Sequence, residues 1–177
     1  MKKAEAGAEL RGRRWIYRGS VIDLSVESLR LPNGADLDLE LIHHQGAAAV
    51  VPMIGDEVVM VRQYRHAAGG WLYEIPGGKL DGDTPEDCAR REVEEEVGYR
   101  AGELVSLGWI WTTPGFTDEK IWLYLARDLE PTRQALEEYE VLEVVRLPMA
   151  EAVRRAASGE IPDAKTVCGL LRASSVL

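Results

Sequence analysis

Apolar and polar positions alternate through the first two thirds of the chain in short extended runs, and helical runs close it. Trp15–Tyr17, Val21–Leu31 and Leu37–His43 read as strands. Pro32-Asn33-Gly34-Ala35 between the last two predicts a turn, because Asn-Gly tolerates positive φ. Ala47–Pro52 and Val58–Arg62 predict a hairpin around Gly55-Asp56, with Leu104–Thr112, Ile121–Ala126 and Val141–Leu147 as later strands. Met149–Ser158 and Ala164–Ala173 have helical composition, divided by a turn around Gly159 and Pro162. This order predicts an α+β fold with a mixed sheet, without repeats or low-complexity segments. His43 and His44 are neighbours on a strand, so they point to opposite faces and cannot chelate one ion together.

Gly77–Tyr99 stands apart: a glycine-rich turn runs into a helix studded with glutamates. Thr84 suits the N-cap, Pro85 the first helical position and Gly98 a left-handed end, while Glu86 and Asp87 favour the positive end of the helix dipole. Glu92, Glu95 and Glu96 fall at i, i+3 and i+4 and project to one side. At 100° per residue, Glu92 and Glu96 lie beside Ala89 and Val93, which should face the core, whereas Asp87, Arg91 and Glu94 should face water. Charge runs on helices are usually a solvated face, and the outward residues fit that description. Glu92 and Glu96 do not, because unpaired carboxylates near an apolar interior cost several kcal/mol each unless a cation compensates. Clustered hard oxygen ligands suit Mg²⁺ or Mn²⁺ beside a phosphorylated ligand.

This stretch resembles the box of the Nudix family, Gly-x5-Glu-x7-Arg-Glu-U-x-Glu-Glu-x-Gly-U, where U is a bulky apolar residue. Arg91, Glu92, Val93, Glu95, Glu96, Gly98 and Tyr99 match its second half position by position. The first half departs from it. Counting from Gly77, Asp83 stands where the family has its first glutamate; counting from Gly78, the turn is one residue short. In the family that glutamate pairs with the box arginine, so the resemblance implies an Asp83–Arg91 contact. It also implies an α/β/α sandwich around a mixed sheet, preceded by an antiparallel N-terminal strand region. Residues 1–45 are read as that region and 46–177 as the hydrolase domain.

The flanks are similar to the ADP-ribose pyrophosphatase subfamily: Val61–Arg65, Trp71–Gly78, Thr113–Ile121 with Pro114, and Gly159–Val167. The resemblance implies Mg²⁺-dependent hydrolysis of ADP-ribose to AMP and ribose 5-phosphate, with Mn²⁺ as a possible substitute. It makes Glu92 and Glu96 metal ligands with the Gly77 carbonyl, gives Glu95 a bridging or assisting role, and makes Arg65 a phosphate clamp. Glu74 either orients the loop or touches the ribose; an exposed strand glutamate is the plainer alternative. The general base is expected in the acid-rich loop Glu130–Glu140, with Glu138 first, then Glu140 and Glu137. Trp15 and Tyr17 offer stacking surfaces for adenine or contacts in the homodimer common in this subfamily. The box reads diphosphate and metal rather than base or sugar. GDP-mannose or a dinucleotide such as NADH therefore remains an alternative substrate, and a catalytically silent nucleotide-binding domain an alternative role.

Composition narrows the partners. The chain has 177 residues, 46% of them hydrophobic, which is ordinary for one globular domain with a small appended element. Its net charge of −9 argues against a nucleic-acid scanner or an anionic membrane surface, and a polyanionic substrate then needs local cations. Cys88 and Cys168 form neither a disulfide framework nor a zinc site. The basic N-terminal stretch has no apolar run behind it, so a secretion signal is not expected and the cytoplasm is the expected location.

Overall fold

The computed structural model describes residues 7–177; the first six residues of the basic N-terminal stretch lie outside the described residues. The described residues form two compact units, one running up to Gln45 together with Thr113–Glu119, the other of Gly46–Thr112 with Lys120–Leu177.

The smaller unit is an antiparallel sheet in the order β1 (Glu9–Arg18), β2 (Asp23–Arg30), β3 (Asp36–His43). Strand β1 is longer than the three residues read from sequence, and every residue in it is exposed. The β2–β3 turn forms where Asn-Gly predicts it, with Gly34 at φ 84° and its N–H donating to Leu31 O at 2.9 Å. Thr113–Glu119, which the chain order assigns to the hydrolase domain, packs with these strands instead. Ile42 N–H donates to Phe116 O at 2.8 Å, and Asp118 N–H to Ile42 O at 3.1 Å. Asp118 also fixes both histidines, meeting the His43 ring at Nδ1 (3.0 Å) and accepting from the His44 N–H (2.8 Å).

The larger unit contains β4 (Ala47–Ile54), β5 (Glu57–Arg65), β6 (Gly70–Glu74), β7 (Gly77–Lys79), α1 (Pro85–Val97), β8 (Tyr99–Trp111), β9 (Lys120–Pro131), β10 (Leu142–Pro148), α2 (Met149–Ser158) and α3 (Ala164–Ser174). Its sheet runs β10-β5-β4-β9-β8, with β6 on β5 and β7 on β4. Only the β4–β9 pair is parallel, so the sheet is mixed. Strands β4 and β5 pair at the Gly55-Asp56 turn through Met53–Val58 and Ile54–Glu57. Beyond the turn β6 pairs with β5, and β7 with β4. These two short, glycine-containing strands have no apolar period long enough to announce them.

Both faces of this sheet are covered, which explains the nearly unbroken apolar run of its central strands. Ala49, Val51, Val58 and Met60 pack with Ala152 and Ala156 of α2 and Leu170 and Ala173 of α3. The alternate residues Ala48, Val50, Val59 and Val61 pack with Cys88, Ala89, Val93 and Val97 of α1. Successive strand side chains point to opposite faces, so two adjacent strands build both halves of the core. The result is an α/β/α sandwich with α1 alone on one face. No helix among the described residues is long and apolar enough to cross a membrane.

Candidate active site

Helix α1 begins and ends as its sequence dictates. Thr84 Oγ accepts from the Asp87 N–H at 3.2 Å, Pro85 opens the helix, and Gly98 at φ 72° donates its N–H to Glu94 O. These caps fix the rotation that turns Ala89, Val93 and Val97 into the core, and Glu92 and Glu96 follow them inward. The glycines ahead of the helix serve close approach. A methyl on Gly77 would lie 2.5 Å from Ala48 O, and one on Gly78 would overlap the Glu92 carboxylate. The Gly77 N–H donates to Glu96 Oε2 at 3.0 Å, tying the loop to the helix.

Arg91 does not face water as the helical wheel suggests. Its guanidinium bends back across the loop, donating to Asp83 (3.2 Å), Glu92 (2.7 Å), Glu95 (3.0 Å) and Lys79 O (3.0 Å). The Asp83–Arg91 contact implied by the family pattern is present, so the shorter acid still reaches. One cation thus serves three carboxylates. Burial works against its charge, yet Glu92, Glu95 and Asp83 together raise its pKa above the usual arginine value.

These residues line a cleft of about 310 Å³. Asp81, Glu92, Glu95, Glu96, Glu137 and Glu140 face only Arg65, Lys79 and Arg91 there. Lys79 is itself paired with Asp81 at 3.4 Å. The excess negative charge appears as reluctance to ionise. Burial, only partly relieved by Arg91, pushes the Glu92 carboxyl up to about 7. Burial and the charge of Glu92 push Glu96 up to about 8, despite the Gly77 N–H. A divalent cation among these oxygens would remove both penalties, and hard carboxylates with a main-chain carbonyl are the donors it prefers. Among the described residues no three His, Cys, Asp or Glu side chains already stand gathered around one point.

The remaining candidates divide. Arg65 reaches the cleft, while Glu74 is not an exposed strand glutamate: it is 1% exposed and takes both Arg65 Nε and Nη2 at 2.8 Å. Within the acidic loop Glu137, Tyr139 and Glu140 line the cleft, whereas Glu138 is exposed on the turn between them and is not part of the lining. Glu140 is the loop acid whose charge disfavours ionisation of both Glu92 and Glu96. Pro114 belongs to the segment that packs with the N-terminal strands. Sequence reasoning missed Lys165, which contacts Glu74 from α3; its only signal was its place within Gly159–Val167.

Known proteins resemble this chain in sequence and in fold. A NUDIX domain is matched over residues 43–169. ADP-ribose pyrophosphatase of Bacillus subtilis (strain 168) is 40% identical over 155 residues, covering 85% of this chain and 84% of that protein. ADP-ribose pyrophosphatase of Mycobacterium tuberculosis (strain ATCC 25618 / H37Rv) is 36% identical over 166 residues, covering 91% and 80%. A crystal structure of an ADP compounds hydrolase superimposes with a TM-score of 0.85 at 23% identity, over 99% of this chain and 97% of that one, a likeness of fold. With a matched domain spanning most of the sequence, and a capped helix turning glutamates into an acid-rich cleft, the chain belongs to the Nudix family.

Proposed function

We propose that this chain hydrolyses the diphosphate bond of ADP-ribose to AMP and ribose 5-phosphate with Mg²⁺, or Mn²⁺ in its place. The observation that carries the reading is the buried pair Glu92 and Glu96, short of positive charge in an open cleft. The two pyrophosphatase relatives name the substrate. Glu92 and Glu96 would hold the ion with Glu95 and the Gly77 carbonyl. When bound, a divalent ion would neutralise the diphosphate and make a water acidic enough to give up the proton whose loss lets it attack phosphorus. Arg91 bridges Glu92 and Glu95 through Nη1 and braces the loop through Asp83 and Lys79 O. Arg65 clamps the diphosphate with the guanidinium edge that Glu74 leaves free. The loop Glu137–Glu140 supplies the base that takes the proton from the attacking water. Its position beside the buried pair favours Glu140, while Glu138 would serve only if the turn swings inward on closure.

The same reading makes the protein a cytoplasmic homodimer. The two cysteines are free. Trp15 and Tyr17 stand exposed with Leu10 and Ile16 on β1, available to an adenine or to a second copy of the chain.

A substrate panel with Mg²⁺ tests the reading. ADP-ribose should give the highest kcat/KM, with AMP and ribose 5-phosphate as products. A higher value for GDP-mannose or NADH would replace the substrate, and tight ADP-ribose binding without turnover would make the domain a sensor. Glu140→Gln should lower kcat about 10²-fold or more with KM little changed, and Glu138→Gln should lower it less. The reverse order would return the base to Glu138.

A further inference from the structure

Glu74 closes β6 three residues before Gly77, and a carboxylate sealed there needs cations. In the β5–β6 register Arg65 stands opposite Gly70 and Glu74 opposite Val61, so the arginine must run back along the strand pair to reach the acid. A long side chain held that way keeps its direction only if its acceptor is fixed. The fixing comes from α3. Lys165 Nζ contacts Glu74 Oε2 and donates to Asp163 Oδ2 at 3.0 Å. Asp163 is the N-cap of α3 and also accepts from the N–H (3.0 Å) and hydroxyl (2.6 Å) of Thr166. The Thr166 hydroxyl in turn accepts from Ile75 N–H at 2.9 Å, joining the helix start to the residue after Glu74. Charges therefore alternate outward from Asp163 through Lys165 and Glu74 to Arg65, which ends in the cleft. Burial favours the neutral acid at Glu74, but Arg65 and Lys165 overcome it and hold the carboxyl below its usual range.

We propose that Lys165, backed by Asp163, is a positioning residue that fixes the direction of Arg65 in the cleft through Glu74 and so sets how tightly a diphosphate is held. The role rests on the reading of that cleft as the diphosphate site. Glu74 occupies the Nε–Nη2 edge of the guanidinium and leaves the other edge aimed outward. An arginine ordered in advance loses little rotamer freedom when it meets a phosphate.

The test compares Lys165→Met, Lys165→Arg and wild type at saturating Mg²⁺. Lys165→Met should raise KM for ADP-ribose about three- to tenfold, the ordering cost of one long side chain, with kcat within about twofold. Lys165→Arg should restore most of the affinity, since it keeps the charge. Lys165→Gln replaces Lys165→Met if that variant does not fold, with the same expectation. A second readout needs no substrate: the Arg65 Nε–H resonance, assigned with Arg65→Lys, should be sharp and protected from exchange in wild type and lose protection in Lys165→Met. A fall in melting temperature with KM unchanged, or an Arg65 signal as sharp as wild type, overturns the role. If wild-type protein leaves ADP-ribose intact, the proposed substrate falls and the Arg65 signal alone decides the positioning role.

Discussion

Glu74 and Glu96 are carboxylates sealed from water in the same unit, 1% and 3% exposed, yet they are displaced in opposite directions. Glu74 lies below its usual pKa because Arg65 and Lys165 outweigh its burial. Glu96 is pushed up to about 8 because its burial is compounded by Glu92 and Glu140, and the Gly77 N–H and the charge of Lys165 relieve it only in part. Burial is common to both, so burial does not mark the functional acid. The missing counter-charge does. Where the fold supplies its own cations the acid is architecture, and where it withholds them the site is built for a cation from solution.

The largest expected effect comes from removing a carboxylate on the uncompensated side. Glu96→Gln should lower kcat on the order of 10²–10³-fold, as for loss of one charge-stabilising group, while the protein folds normally. Turnover like wild type would sink its ligand role. The same change should stabilise the ion-free protein in alkaline solution. Glu92 and Glu96 hold protons when folded, up to about 7 and 8, that the unfolded chain releases near 4.5. Their contribution is complete below about 4.5, declines as pH rises, and is gone above 8. Wild-type protein in EDTA should therefore lose several degrees of melting temperature between pH 6 and 9. Mg²⁺ should restore more at pH 9 than at pH 6, since protons compete with the ion. A melting temperature that ignores Mg²⁺ at both pH values would count against the site.

Replacing Glu74 should act in the opposite sense. Glu74→Gln leaves the half-buried Lys165 beside one acid instead of two, and should cost about 2–3 kcal/mol of stability at neutral pH. A stabilised Glu74→Gln protein in thermal denaturation would erase the contrast between the two acids.

Much of this contrast was legible before any coordinates. The helix caps, the i, i+3, i+4 spacing and the inward turn of Glu92 and Glu96 follow from local rules, because a helix carries its own geometry. The β4–β5 hairpin and the Asn-Gly turn are local in the same way. Glu74 was legible as a site candidate but its burial was not, because its partners lie 9 and 91 residues away and no periodic signal reports a buried strand-end acid. Arg91 was misjudged for a related reason. The helical wheel gives the direction of its Cβ, but a side chain that long is steered by the loop that folds over it. Strands β6 and β7 escaped notice because pairing with β5 and β4, not their own composition, makes them strands. The Thr113–Glu119 segment changed units because its main chain bonds to β3, which residue order cannot show.

Asp83 gives the smallest expected effect and the finest test of the contrast. It is a third acid on Arg91, but its side chain is 43% exposed and its contact is a single one at 3.2 Å. Water already solvates it, so its pairing contributes at most about 1 kcal/mol. After Asp83→Asn, Arg91 still holds Glu92, Glu95 and the Lys79 carbonyl, and the loop keeps the Gly77–Glu96 tie. The variant should lose no more than about threefold in kcat/KM and melt within a few degrees of wild type. A loss as large as that of Glu96→Gln would mean that loop geometry, rather than the partly compensated charge of the buried pair, limits the chemistry.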